Sequence, residues 1–247
     1  MTLQEAYIHL QQGLQNIAAF VGRDWETWEL DWLWYSGTNK FIRLVFPDRE
    51  DLRENERYSD IQTSLDNLRA ITVVNHQITP LTESTINGYT LFTGSLPKPT
   101  NNPNFLQPSY RHLLNSRSIV LLIGCKNGEE QTIPNRLVEQ DELYNQLENP
   151  IYKTVSESPI SSIYGDTITV FASYKGKKLF NVKQLFIDYI KQPIKYEYSS
   201  NDTNINASAQ IEFPEEVVFQ IIKTTLIYAS VLAEQNPNKI QLIAQQT

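Results

Sequence analysis

The sequence predicts an α+β fold, a helical bundle formed by N-terminal and C-terminal helices with a β-rich insertion between them. Two stretches, residues 3–21 and 214–235, repeat apolar side chains at helical spacing. Between them, from 71 to 200, Pro, Gly, Asn and Thr punctuate short apolar runs, the pattern of strands and turns. The 13 Tyr, 10 Phe and 4 Trp supply large apolar area for a core. The chain accordingly divides into a helical part at 1–71, a β-rich part at 72–200, and a C-terminal helix and tail at 201–247 that pack on the N-terminal helices.

Thr2 and Glu5 have the spacing of a capping box, in which each side chain reaches the other residue's backbone N–H. Leu3, Tyr7, Leu10, Leu14, Ile17 and Val21 follow at alternating steps of four and three, which makes one apolar stripe, and Gly22 supplies a stop. Asp24 is placed to cap a second helix that carries Trp25, Trp28 and Trp32 on one face. Gly37 is a break or kink in it, and Pro47 ends it. A third helix covers 51–69, with Tyr58, Ile61, Leu65 and Leu68 on one side.

Strands are expected at 71–74, 89–92, 119–123, 168–171 and 185–190. The unbroken apolar run 119–123 reads as a strand buried on both faces. Asn127-Gly128 then gives a hairpin turn, and 140–147 a short helix. Residues 97–108 and 199–207 are polar loops. Pro214 opens the last helix, Glu215 and Glu216 complement its dipole, and it ends near Gln235 because Asn236 precedes Pro237. Its apolar face runs through Val218, Ile221, Ile222, Thr225, Leu226, Ala229 and Leu232. The tail beyond Pro237, with Ile240, Leu242 and Ile243, reads either as a docking arm or as a frayed end.

The net charge of −7 argues against a nucleic-acid binder, which needs a basic face, and against docking on an anionic membrane. With Cys125 as the one cysteine, neither an internal disulfide nor a thiolate metal site can form, and the chain suits a reducing cytosol. The first 20 residues lack a basic start and an apolar core, so no signal peptide is expected. No apolar run approaches the roughly 20 residues of a membrane span.

A search for chemistry assigns no catalytic, cofactor-binding or metal residue. His9, His76 and His112 are scattered, with no metal-ligand spacing between any two. Cys125 follows an apolar strand, and only a nearby base such as His112 would make it a nucleophile. Lys175-Gly176-Lys177-Lys178 reads as a charged hairpin tip rather than a phosphate loop. The acidic pairs Asp48/Asp51 and Glu129/Glu130 read as solvated turns, and Glu215/Glu216 answers to the helix dipole. The Trp25/Trp28/Trp32 stripe reads as core or subunit interface before it reads as a sugar or base platform.

Several short motifs carry a resemblance. Asp66-Asn67-Leu68-Arg69 stands before the first strand, and Asn149-Pro150 with Tyr152 ends the mid-chain helix. Tyr189 and Pro193 close a late strand, and Pro214-Glu215-Glu216-Val217 with Ile221 and Ile222 opens the last helix. In this order they resemble the head–tail connector, or adaptor, proteins of short-tailed phages, nearest to the ring proteins of crAss-like phages. Leu33-Trp34-Tyr35-Ser36-Gly37 departs from the Leu-Asn-x-Ala-Gln that such connectors often carry in the second helix.

The resemblance implies a virion structural protein without enzymatic activity, made in the bacterial host cytoplasm and residing in the neck or tail. It implies a closed ring of copies, twelve-fold in the family's usual arrangement, between the portal protein and further tail or ring proteins. DNA would pass through the channel without specific binding, and no membrane or cofactor would be involved. Two other readings stay open: a minor tail or fibre-docking structural protein, and a small hydrolase using Cys125 or an acidic pair.

Overall fold

Every helix must satisfy the N–H groups of its first turn, and here the first one does so as the capping-box spacing predicts. In this computed structural model, which describes residues 1–21, 25–45, 66–98, 110–123, 130–151, 153–195 and 210–235, the Glu5 N–H donates to Thr2 Oγ1 at 3.3 Å and the Thr2 N–H to Glu5 Oε2 at 2.8 Å. That box starts α1 (Leu3–Val21), whose Leu3, Tyr7, Leu10 and Leu14 are buried. The chain divides into two compact units, one formed by Met1–Ile71 with Pro193–Thr247 and the other by Thr72–Gln192.

In the first unit, α2 (Thr27–Val45) buries Leu30, Leu33, Trp34, Phe41 and Ile42. The buried face thus centres on Trp34, while Trp25, Trp28 and Trp32 are only half-buried. Tyr7 on α1 donates a 2.5 Å hydrogen bond to the buried Asp31 carboxylate on α2. Residues 66–68 are helical and lead into a 3₁₀ turn, Arg69–Ile71, whose Ile71 is buried. The C-terminal helix, named α4 below because one short helix precedes it in the chain, runs over Glu215–Gln235 and packs on both α1 and α2. Gly37 does not break α2. A Cβ there would lie 1.8 Å from Thr225 Oγ1 and 3.1 Å from Thr225 Cα, so glycine is what allows the two helix backbones to approach.

The second unit contains two large sheets and a small hairpin. The first sheet has the order β1-β11-β4-β5 and is antiparallel throughout, from β1 (Thr72–Ile78), β4 (Tyr110–Leu122), β5 (Glu130–Pro134) and β11 (Phe180–Lys191). The second has the order β2-β3-β8-β7-β6, from β2 (Thr82–Ile86), β3 (Tyr89–Ser95), β6 (Arg136–Leu137), β7 (Ile160–Tyr164) and β8 (Thr167–Phe171), with β6 parallel to β7 and the other neighbours antiparallel. The hairpin joins β9 (Ser173–Tyr174) to β10 (Lys177–Lys178), turning at Lys175 and Gly176, which both have positive φ.

The two large sheets face each other across one core. Val120, Val182, Leu185, Ile187 and Tyr189 come from the first sheet, and Phe92, Ile168 and Val170 from the second. A second apolar cluster lies on the other face of the second sheet. There Leu91, Ile160 and Phe171 meet Leu143 and Leu147 of α3 (Gln140–Glu148). The order of layers is therefore sheet, sheet, helix.

This architecture corrects the expected fold class. The structure is dominated by three sheets, its helices are few, and a single one lies near the C-terminus; it is not a helical bundle flanking a β insertion. The physical reason is that the two large sheets close one core against each other, and the other face of the second sheet is covered by the single short helix α3, so no helical bundle is needed to complete them. The run at 119–123 is also corrected. Only Val120 in it is fully buried, Ile123 is half-exposed, and the strand alternates rather than being buried on both faces. The helix expected at 51–69 lies largely outside the described residues, as do Asn127-Gly128, most of both polar loops and the tail after Gln235.

Two measurements check this packing. Gly37→Ala adds a good helix former, worth about 1 kcal/mol in an isolated helix. Against the fixed Thr225 it is expected instead to lose about 1–3 kcal/mol, read as a lower denaturation midpoint; a raised midpoint would show that the two helices do not approach here. Tyr189 is fully buried, and that burial pushes its hydroxyl up to about 12 from the ordinary 10. The folded state thus holds this proton more tightly than the unfolded chain. Its contribution is whole below about pH 10 and is lost as the pH climbs towards 12. Stability of the wild type should fall more steeply across that window than stability of Tyr189→Phe, and parallel curves would contradict it.

Candidate functional site

Strand alternation sorts the second sheet into two chemically different faces. On β8, Ile168 and Val170 point to the core between the sheets, while Thr167, Thr169 and Phe171 point the other way, towards α3. Register then lines up neighbours on that outer face. Leu91, Phe171 and Ile160 form one row, and Thr93, Thr169 and Ser162 form the next. The first row is apolar and α3 covers it through Leu143 and Leu147. The second row is a line of hydroxyls that α3 does not seal.

What remains is a groove of about 380 Å³ between α3 and the sheet. Its floor is the hydroxyl row together with Thr167, and Tyr89, Tyr144 and Tyr164 stand along it. Tyr144 and Tyr164 are 61% and 70% exposed, a large share for rings of this size. Gln140, at the start of α3, contributes an amide. None of the described lining residues is charged.

The hydroxyls are not equivalent. Thr93 Oγ1 donates to the Thr82 carbonyl at 3.3 Å and Thr167 Oγ1 to the Tyr164 carbonyl at 2.9 Å. Their protons are engaged, so each oxygen offers lone pairs to the groove. Ser162 is 97% buried, and its Oγ has no hydrogen-bond partner. Leaving such a group unpaired costs about 1–3 kcal/mol. Its neighbour Ser161 points to the opposite face, where it meets the buried Ser116 hydroxyl at 3.4 Å. Of two adjacent buried serines, one is therefore satisfied and the other is not.

The groove thus combines exposed tyrosine rings, a row of hydroxyls and one amide, with no charged side chain among the described lining residues. The residues singled out from sequence lie elsewhere. His9 is exposed on α1 and meets Phe219 edge-on at 5.4 Å. His76, on β1, lies edge-on to Tyr189 at 5.6 Å, and burial lowers its pKa. His112, on β4, accepts a hydrogen bond from Arg111 Nε at 3.2 Å. His9 belongs to the first unit and the other two to the second, and no cluster of metal-ligating side chains occurs among the described residues. Cys125, Asp48, Asp51 and Glu129 lie outside the described residues. In the lysine run, Lys178 reaches across to Glu83 and lies over the Phe92 ring at 5.2 Å.

Sequence reading missed the groove residues. A signal existed in Thr167-Ile168-Thr169-Val170, whose alternation puts both hydroxyls on one face, but nothing local tells that Thr93 and Ser162 stand beside them. No helix among the described residues is long and apolar enough to cross a membrane. No family model matches the chain, and neither does any curated protein.

Proposed function

We propose that this chain is a structural subunit of a bacteriophage virion, one copy of a closed ring that connects the portal to the tail and encloses the DNA channel. The motif order described above supports the family. The observation that carries assembly is the chemistry of α4, which is apolar on two sides. One side buries Val218, Ile221, Ile222 and Ala229 within its own unit. The other presents Phe219, Ile227 and Val231, which share a row with Lys223 at steps of four and are 45%, 57% and 42% exposed.

A helix apolar on two sides belongs in an interior, and a stripe left facing water marks a contact with another chain. In a ring that contact is head-to-tail, with the stripe of one copy meeting a different surface of the next, and it closes when the rotation does. The role is mechanical and needs no catalytic group. The acidic balance of the chain fits a channel that lets DNA slide without holding it.

Sedimentation of the full-length protein mixed with the phage's portal protein tests this reading. The wild type is expected to travel with the portal in a fixed ratio. An Ile227→Glu/Val231→Glu variant changes only exposed positions, so its helical circular dichroism should be unchanged while it associates at least tenfold more weakly. Equal association by both proteins would take the stripe out of the assembly, and a wild type that never joins the portal would overturn the ring.

A further inference from the structure

We infer that the groove between α3 and the second sheet is a binding site for a neutral saccharide. This inference does not rest on the ring assignment, because it uses only the chemistry of the groove. A sugar ring presents apolar C–H faces and a fringe of hydroxyls. The groove offers counterparts to both: exposed tyrosine rings for the faces, and a hydroxyl floor for the fringe.

The polar pairing is directional. Thr93 and Thr167 already give their protons to backbone carbonyls, so what they offer a ligand is acceptor lone pairs, and a sugar hydroxyl is a donor that fits them. Gln140 adds an amide that both donates and accepts. The unpartnered Ser162 Oγ is the second, independent sign of a ligand. It belongs to the floor row, 97% buried and without a hydrogen bond, and a ligand hydroxyl that reached it would satisfy it. The volume of about 380 Å³ lies in the range of small-molecule sites, roughly 300–1,000 Å³.

Other occupants fit less well. An acidic or sulfated ligand would find no cation in the described lining. An extended peptide joins a sheet through free edges, whereas the floor of this groove lies on β3, β8 and β7, all inside the sheet with their backbone groups committed to neighbours. A purely apolar ligand would cover the hydroxyl row without pairing it.

Isothermal titration calorimetry with the full-length protein tests the site. The probes are neutral oligomers of glucose, galactose, mannose and N-acetylglucosamine, with sialylated and sulfated oligosaccharides beside them. At least one neutral oligomer should bind saturably. Tyr144→Ala and Tyr164→Ala, both at exposed positions, should each weaken it at least tenfold with circular dichroism unchanged. Thr169→Val keeps the shape of the side chain and removes its hydroxyl, and it should weaken a sugar at least threefold while strengthening an apolar ligand. The inference is overturned if no neutral oligomer binds at millimolar concentration, if the acidic ones bind better, or if the three substitutions leave binding unchanged.

Discussion

The pairing of β4 with β11 is the constraint from which the β unit follows. These two long antiparallel strands run side by side from Phe180↔Leu122 to Lys191↔Tyr110. β1 adds to one side of the pair and β5 to the other. The inner face of the resulting sheet can be closed only by a second apolar surface, which β3 and β8 supply through Phe92, Ile168 and Val170. Closing the core in this way turns the alternate residues of β3, β8 and β7 outward. The apolar row among them calls for a helix, and α3 lies on it. The adjoining hydroxyl row does not, and the groove is what remains.

That pair keeps its apolar side inward only because it is irregular. On β11 the residues that enter the core between the sheets are Phe180 and Val182, then Leu185, Ile187 and Tyr189, and the change from even to odd numbers falls at the register shift after Val182. On β4 the change from Leu113 to Ser116, Ser118 and Val120 falls at the shift facing Asp188 and Tyr189. Each bulge inserts one residue and so rotates the alternation by one place. Without them half of each strand would turn its apolar residues to the wrong face.

The same bulges set how much could be read in advance. A period of two is visible only between interruptions, so the sequence shows fragments at 119–123 and 185–190 where strands of 13 and 12 residues stand. Local chemistry fares better: the Thr2/Glu5 box, the short helix opening at Gln140 and the helix following Pro214 are each signalled by a few adjacent residues. The balance of the fold was misjudged because apolar helical stripes are conspicuous in sequence, whereas a core shared by two sheets is assembled from residues scattered between 78 and 189. Gly37 shows the same limit, since a helical break and a close helix contact call for the same residue and only Thr225 decides between them. The groove is the extreme case. Its walls come from four separate segments that the order β3-β8-β7 and the placement of α3 bring together, and no spacing rule along one strand contains that order.

The proposed assembly turns on α4, one face of which completes its own unit while the other leaves Phe219, Ile227 and Val231 partly exposed. The outer stripe sets one charged residue, Lys223, among the three apolar ones. Electron microscopy of the purified protein, with and without a portal protein encoded beside it, tests the proposed ring directly. Rings stacked coaxially on the portal are the predicted result and would give the symmetry by inspection. A stable monomer that leaves the portal bare would contradict it.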